Sequence, residues 1–387
     1  MKKDAHFYAL LAMARSVGIE KETAHKIAYA SQFVDDAKIN KITLADDNPK
    51  AILAGLKKDF GDSEKIINAA TCHDYFIVNT FNYGAMINNT TAFHFVPGCD
   101  GKSFVKKMRC KKESPIIMDI LKAALKEGDP IKFGITLHAY ADTFSHQGFS
   151  GILSKVNDVE ELATSNKIEE DVGLRGFANK LFDQFKYETK DVYLPAYGHG
   201  QVFSYPDMPY LDWKYCFDSS NDFSEEYKTT RISNKERFTE AFEKIKKHLK
   251  TFLEKNPEYK DDSVVEVNED EFFSNLVLKE KTDERIQNWK EFMKDEELFE
   301  ANDEFLNYDE HLWLEEAFQY FISGDFNDRI VKEVHLEEDF LDSNWYKYYQ
   351  GTQWYKRLFF ESALDNELVI PNEYVDDDFM KEKLRSK

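Results

Sequence analysis

The chain has 387 residues, 42% hydrophobic and 15% aromatic, which is enough apolar material for a large folded core and argues against disorder. A formal net charge of -21 excludes non-specific attraction to nucleic acid or anionic lipid as the main binding force. Residues 251–350 carry 29 Asp and Glu against 10 Lys and Arg, so we expect an anionic ligand to meet the other part of the chain.

The cysteines and the start of the chain favour a cytoplasmic protein. The four cysteines form no Cys-x-x-Cys pair, so neither a thiolate zinc knuckle nor a redox dithiol is indicated, and a reducing compartment is the simpler interpretation. The opening stretch resembles a secretion signal, but Asp4, His6 and Arg15 interrupt it, so we expect it to form the first helix of the fold. No stretch approaches the roughly 18 apolar residues that cross a bilayer, so no transmembrane segment is predicted.

Helix signals dominate the first part of the chain. We predict one helix over residues 4–16, with Gly18 as its stop, and a second over residues 21–34. Asp35 and Asp36 follow at the end of the second helix, where negative charge opposes the helix dipole. This local cost indicates that another interaction stabilises the two carboxylates.

Two later helices are predicted from a capping residue followed by proline at the first helical position, at Pro115 and Pro130. The second of them should cover residues 130–146. Before these helices, residues 75–96 are rich in aromatic and β-branched side chains, which predicts a short strand pair.

The remainder of the chain divides into a loop and an acidic part. Residues 187–215 interleave Pro and Gly with Tyr and Trp, which predicts an ordered loop, and loops of this length are usually functional. Beyond about residue 220 the chain is acidic and follows a helical period. We therefore predict a mainly α protein with a small β excursion, comprising a helical metal-binding catalytic domain over residues 1–215 and an acidic, mostly helical region over residues 220–387.

The helix predicted over residues 130–146 carries His138, Asp142 and His146 at intervals of four. Positions four and eight apart drift only about 40° and 80° around a helix axis, so the three side chains share one face. Imidazole nitrogen and carboxylate oxygen are usual ligands of zinc and similar divalent ions. The apolar neighbours predict burial, which would cost several kcal/mol if these groups had no partners. The spacing therefore predicts a metal site that other segments must complete.

Further metal-capable residues occur outside this helix, many of them beside aromatic or small residues. A clustered site is the economical explanation for their positions. The exceptions are four histidines whose charged surroundings in the sequence favour a solvated surface position, His25, His248, His311 and His335. The candidates are His6, Asp35, Asp36, His73, His94, His199 and Asp207.

In chain order, these residues resemble those of the zinc-dependent phospholipase C and S1/P1-type nuclease superfamily, all-helical hydrolases with a three-metal cluster. The opening Asp4-Ala5-His6 and the later Ala-Ser-Gln-x-x-Asp-Asp ending at Asp36 also look like bacterial proteins related to those phospholipases. The resemblance covers about residues 1–215 and implies a multi-helical core that holds two or three divalent ions, of which Zn²⁺ is the expected species. The ligands that it implies are His6, Asp35 or Asp36, His73 or His94, His138, Asp142, His146 and His199.

The sequence departs from this family at three ligand positions. One of them is His146, which follows Asp142 sooner than the family spacing suggests. The family's later His normally has a carboxylate four residues on, but Phe203 stands there, and Asp207 is our substitute. Secreted members use a freed N-terminal amine as a ligand, for which Asp4 is our substitute.

We therefore expect a metal-dependent phosphodiester hydrolase, phospholipase C-like or nuclease-like, in which Asp35 or Asp36 orients the attacking water. Its substrate would be a phosphate ester of a lipid, a nucleic acid or a nucleotide. Two alternatives stay open. One is an HD-type phosphohydrolase centred on His73-Asp74, and the other is a non-enzymatic binding protein with a structural metal site, whose acidic region engages a basic protein partner.

Overall fold

The computed structural model describes residues 1–39, 41–60, 66–72, 82–164, 196–217, 230–264, 267–277, 281–319 and 330–375. Over these residues the fold is mainly α, as predicted. None of the described helices combines the length and the apolar character that crossing a membrane requires.

The described helices are a π-helical first turn (Asp4–Ala9), α1 (Leu10–Ser16), α2 (Lys21–Asp36), α3 (Lys50–Phe60), α4 (Tyr83–Ala85), a π-helical stretch (Met86–Thr91), α5 (Ala92–His94), α6 (Phe104–Lys107), α7 (Pro115–Glu127), α8 (Pro130–Ser145), α9 (Asn234–Lys255), α10 (Glu269–Asn275), α11 (Thr282–Asp295), α12 (Leu312–Ala317) and α13 (Asn344–Asp365).

The described strands form two small three-stranded sheets. They are β1 (Lys41–Leu44), β2 (Ile66–Ile67), β3 (Val159–Thr164), β4 (Asp212–Phe217), β5 (Thr230–Ser233) and β6 (Ile330–Val334). In one sheet β1 lies between β2, which is antiparallel to it, and β6, which is parallel to it. In the other sheet β4 pairs antiparallel with β3 and β5. Because β6 pairs with β1, the acidic part of the chain completes a sheet that begins in the first part.

The first two predicted helices are present. The chain is helical over residues 4–16, as a π-helical turn that continues into α1, and again over α2. Gly18 has a φ of 91°, a left-handed conformation that glycine adopts without strain. The first helix therefore ends where the sequence predicts.

Of the caps predicted for the two later helices, the one at Asp129 is present, whereas the Ser114 side chain at the start of α7 makes no capping hydrogen bond. The Asp129 carboxylate accepts hydrogen bonds from the backbone N–H groups of Ile131 and Lys132, at 2.8 and 3.0 Å, and so caps α8. Gly128, with a φ of 72°, ends α7. Helix α8 ends one residue before His146, which is its C-terminal cap.

The strand pair predicted over residues 75–96 is wrong where the structure describes that segment. Residues 83–94 are helical, and residues 73–81 lie outside the described residues. A high content of aromatic and β-branched residues is weak evidence for a strand, because strand propensity depends on the packing that those side chains find. Here Phe93 stacks on Tyr355 of α13, with ring centroids 4.8 Å apart, so a helix buries the segment.

One hydrophobic cluster contains buried side chains from both predicted regions of the chain. Phe133 of α8 stacks on Phe252 of α9, with ring centroids 4.6 Å apart. The Tyr355 hydroxyl of α13 donates a hydrogen bond to the Ala92 carbonyl, at 2.9 Å. Helices of the acidic region therefore pack directly on the helices that precede it. The division of the chain into two domains near residue 220 stays a prediction.

Helices α2 and α8 lie very close together because Gly134 has no side chain. A Cβ atom on Gly134 would lie 2.3 Å from the carbonyl oxygen of Ile27 and 2.9 Å from the Cβ of Ala30. Both of these atoms belong to rigid parts of α2 and cannot rotate away. The close approach brings Asp35, near the end of α2, opposite His138 of α8.

We predict that Gly134→Ala destabilises the protein by about 1–3 kcal/mol through overpacking, although alanine favours a helix over glycine. Urea unfolding followed by circular dichroism measures the effect. Gly55→Ala in α3 is the matched control, because its Cβ would meet only the flexible side chain of Leu341, at 2.7 Å. Equal effects of the two substitutions would contradict the close packing of α2 on α8.

His25 is buried, so its predicted position on the solvated surface is wrong. Its side chain is part of an aromatic cluster, edge-on to Phe7 and close to Phe305, and the residue is 7% exposed. Burial disfavours the protonated ring and lowers the pKa of His25 to about 4, although the Asp303 carboxylate opposes the shift. The charged sequence neighbours misled the prediction because adjacent helical residues lie on different faces.

We predict that His25 makes the protein less stable as the pH falls from about 6.5 towards 4. Over this window the unfolded chain, with an ordinary histidine pKa of about 6.5, binds a proton that the folded chain does not bind. His25→Gln should therefore reduce the pH-dependent loss of unfolding free energy by up to about 3 kcal/mol. Urea unfolding at a series of pH values tests this prediction, and equal slopes in the parent and the variant would contradict it.

Candidate metal centre

The buried side chains of α8 include those of His138 and Asp142, which are 0% and 1% exposed. The His6 ring from the first helical turn stacks on the His138 ring, with centroids 3.9 Å apart. Asp35 Oδ1, at the end of α2, lies 3.8 Å from His138 Nε2. The predicted helix face therefore meets polar side chains from two other segments.

Asp142 is the centre of a group that we call the first cluster. Its Oδ1 lies 3.1 Å from His6 Nε2. Its Oδ2 lies 3.2 Å from His94 Nδ1 and 3.3 Å from His138 Nε2. The cluster is made of overlapping sets of three residues. In each set, one potential ligand atom of each residue lies within 4.8 Å of those of the other two residues. The first cluster comprises His6, Asp35, Cys72, His94, His138 and Asp142.

A second cluster comprises His146, His199 and Asp207. His146 caps α8, His199 precedes the 3₁₀ turn Gly200–Val202, and Asp207 ends the next turn, Tyr205–Asp207. His146 Nε2 lies 2.9 Å from Asp207 Oδ1, and His199 Nε2 lies 3.5 Å from Asp207 Oδ2. Both turns belong to the described part of the predicted loop.

The amino group of Met1 lies between the two clusters, 2.5 Å from Asp142 Oδ1 and 3.0 Å from Asp207 Oδ1. Burial disfavours its charge, but the nearby carboxylates outweigh burial and raise its pKa to about 11. Positive charge is therefore stabilised where the clusters meet. Asp4, which we expected to substitute for an N-terminal amine, instead forms a buried ion pair with Arg285, at 2.6 Å.

Backbone carbonyls fix the ring orientation of three histidines. His146 Nδ1 donates to the carbonyl of His94, at 2.7 Å. His199 Nδ1 donates to the carbonyl of Phe203, at 2.5 Å, and His94 Nε2 donates to that of Thr71, at 3.3 Å. Because a carbonyl oxygen only accepts, the proton lies on each of these nitrogens, and the other ring nitrogen is turned towards a carboxylate.

These orientations fit a bound cation. An unprotonated imidazole nitrogen and a carboxylate oxygen both present lone pairs, so they repel each other at about 3 Å unless a proton or a metal ion lies between them. Burial lowers the pKa of His94, but its hydrogen bonds to Asp142 and Cys72 outweigh burial and raise that pKa well above the ordinary value. A proton therefore competes with a metal ion at this nitrogen.

The three carboxylates differ in their electrostatic surroundings. Burial opposes ionisation of Asp142 and Asp207, but the Met1 ammonium and nearby imidazoles hold both pKa values well below the ordinary range. At Asp35 burial prevails and raises the pKa. The Asp35 side chain is also 28% exposed, against 1% for Asp142 and 13% for Asp207. Asp35 is therefore the carboxylate best able to exchange a proton with the space above the clusters.

A cavity of about 250 Å³ opens over both clusters. Its lining includes the polar side chains of Asp35, His146 and His199 and the aromatic rings of Phe95 and Tyr197. The Phe95 ring stacks on His146, with centroids 4.7 Å apart. The clusters are therefore accessible to a small ligand instead of being packed dry in the core.

The structure brings most of the predicted ligands together but does not bring Asp36 into either cluster. Asp36 Oδ2 accepts hydrogen bonds from the Tyr308 hydroxyl, at 2.7 Å, and from Gln32 Nε2, at 3.0 Å. Adjacent residues on a helix point about 100° apart, so only Asp35 of this pair faces the first cluster. The predicted residues that do converge are His6, Asp35, His94, His138, Asp142, His146, His199 and Asp207.

Cys72 is the site residue that the sequence analysis missed. It forms a triplet of potential ligands with Asp35 and His94, and it lines the cavity. A single cysteine without a second one nearby has no spacing motif, so only the packing reveals it. The adjacent predicted ligand, His73, lies outside the described residues, as does Asp74.

The chain belongs to the family of unknown function DUF6765, whose model matches residues 1–363. The match extends across the predicted boundary near residue 220, so the acidic region is part of the same family unit. No curated protein and no solved structure matches the chain. The likeness to the phospholipase C and nuclease superfamily therefore stays a prediction from the residues.

We predict that Co²⁺-loaded protein shows thiolate-to-cobalt charge-transfer absorption in the near ultraviolet, because a deprotonated Cys72 is a good ligand for such ions. Cys72→Ser should abolish this absorption. Cys216→Ser, which removes a thiol from β4 outside both clusters, should preserve it. Absorption that survives in Cys72→Ser would contradict a sulfur ligand at the first cluster.

Proposed function

We propose that this protein is a metal-dependent phosphodiester hydrolase with a multinuclear zinc-type centre. The observation that supports the proposal is the pair of adjacent His and Asp clusters beneath a cavity open to a small ligand. Adjacent cation sites are suited to phosphate esters, because they stabilise charge on both the attacking and the leaving oxygen.

In this proposal the first cluster and the second cluster each hold metal, with about two or three ions in total. Their donor atoms are imidazole nitrogens, carboxylate oxygens and one sulfur. This donor set suits zinc better than magnesium or calcium, which prefer oxygen ligands throughout. The positive charge of such a centre would also offset the acidic character of the chain towards a phosphate group.

When bound, divalent ions polarise a phosphoryl oxygen and lower the pKa of the attacking water. The chain's own residues would orient the reaction. Asp35 would align the water and accept its proton at Oδ1, since it is the most exposed of the three site carboxylates. The carbonyls of His94 and Phe203 would keep the imidazoles of His146 and His199 turned towards the centre.

The two alternative functions have less support. The HD-type phosphohydrolase depends on His73-Asp74, which lies outside the described residues. The binding protein with a structural metal site would keep both clusters, but structural sites are closed by their ligands, whereas a cavity opens over these. The cavity therefore favours the enzyme.

We predict that Asp35→Asn lowers the rate of hydrolysis of bis(p-nitrophenyl) phosphate by about 100-fold or more, because it removes the proposed proton acceptor. Asp36→Asn is the matched control. The Asp36 carboxylate lies outside the clusters, where it accepts hydrogen bonds from Tyr308 and Gln32. The Asp36→Asn variant should retain most of the parent rate. Release of p-nitrophenol measures both, alongside metal content and circular dichroism.

Equal rates in the two variants would contradict the proposed role of Asp35. A parent protein that holds metal but hydrolyses no phosphodiester would instead favour the binding-protein alternative. The His73→Ala variant distinguishes the proposed hydrolase from the HD-type phosphohydrolase. Loss of activity in His73→Ala, together with full activity in Asp35→Asn, would favour the HD-type reaction.

A further inference from the structure

A second cavity, of about 420 Å³, shares no lining residue with the cavity over the candidate metal centre. Its lining includes two lysines, Lys41 and Lys356, the amides of Asn68 and Asn82, and the Glu373 carboxylate. Its volume falls within the range of small-molecule sites. The cavity therefore has both the size and the polar lining of a ligand site.

Lys356 of α13 is the unusual residue of this cavity, because a lysine that is 3% exposed needs compensation for its buried charge. Its ammonium lies 5.8 Å from the ring centroid of Phe93 and 5.5 Å from that of Tyr374. Among the residues that the structure describes, it makes no hydrogen bond and no ion pair within 4 Å. Burial lowers the pKa of Lys356 to about 8, although the Glu373 carboxylate opposes the shift. An anion in the cavity would provide the missing counter-charge.

The other lining groups indicate what else such an anion should carry. The Asn82 Oδ1 accepts from the Gly84 N–H, at 2.9 Å, which leaves its amide N–H groups available. Asn68 is exposed and makes no hydrogen bond with another described residue. Amide groups both donate and accept, and the Glu373 carboxylate accepts, so together they suit hydroxyl groups. Lys41 adds a second positive charge at the same cavity.

We propose that this cavity is a binding site for a small phosphorylated polyol, such as a sugar phosphate, with Lys356 as the counter-ion of the phosphate group. Asn68 and Asn82 donate to its oxygens, and Glu373 accepts from a hydroxyl group. The site is independent of the proposed hydrolase centre, because the two cavities have separate linings.

Pyridoxal phosphate is a direct probe of this site, since it joins a phosphate group to an aldehyde that forms an imine with a nearby amine and releases water. Borohydride reduction of the labelled full-length protein, followed by peptide mapping, locates the lysine. We expect labelling of Lys356, or of Lys41 where Lys356 holds the phosphate of the probe, ahead of exposed Lys347, the matched control on the same helix as Lys356. Glucose 6-phosphate should protect the labelled lysine, and glucose should not.

If both cavity lysines stayed unlabelled, or if glucose 6-phosphate gave the labelled one no protection, the proposal would be overturned. The Asp142→Asn variant shows at which site glucose 6-phosphate binds when it protects the lysine. Unchanged protection in this variant supports an independent cavity. Lost protection would assign the phosphate to the metal centre and contradict the proposal. Calorimetric titration with glucose 6-phosphate adds a second readout. Lys356→Met should weaken binding at least about tenfold, whereas equal affinity in Lys356→Met and Lys347→Met would contradict the role of Lys356.

Discussion

The carboxylate of Asp142 is buried in the core of the protein, and the surrounding structure depends on the groups that compensate its charge. An isolated carboxylate in such a place would cost many kcal/mol, so α8 can be buried only where positive or hydrogen-bonding groups meet it. The Met1 amine, His6, His94 and His138 do so from different segments of the chain. The groups of the first cluster therefore compensate the buried charge that α8 carries.

The acidic region contributes to the site although none of its described residues belongs to a cluster. Arg285 of α11 pairs with Asp4 in the helical turn that also carries His6. Tyr308 engages Asp36, which leaves the adjacent Asp35 as the carboxylate that faces the cluster. The region therefore positions residues of the first part of the chain, which agrees with a family model that extends over both.

The sequence predicts the helices and most of the candidate ligands because these depend on local rules. Proline at the first helical position predicts α8, and a spacing of four residues predicts the shared face of His138 and Asp142. Three features required tertiary information. The choice between Asp35 and Asp36 depends on a partner far along the chain, Cys72 has no spacing motif, and the helical conformation of residues 83–94 depends on packing against α13.

Elemental analysis of the full-length protein, purified without a chelator, shows whether the two clusters hold metal. We expect about two or three divalent ions per chain, zinc among them, and a loss of metal in Asp142→Asn, whose carboxylate lies at the centre of the first cluster. Fewer than about one ion per chain, unchanged by that substitution, would contradict this expectation.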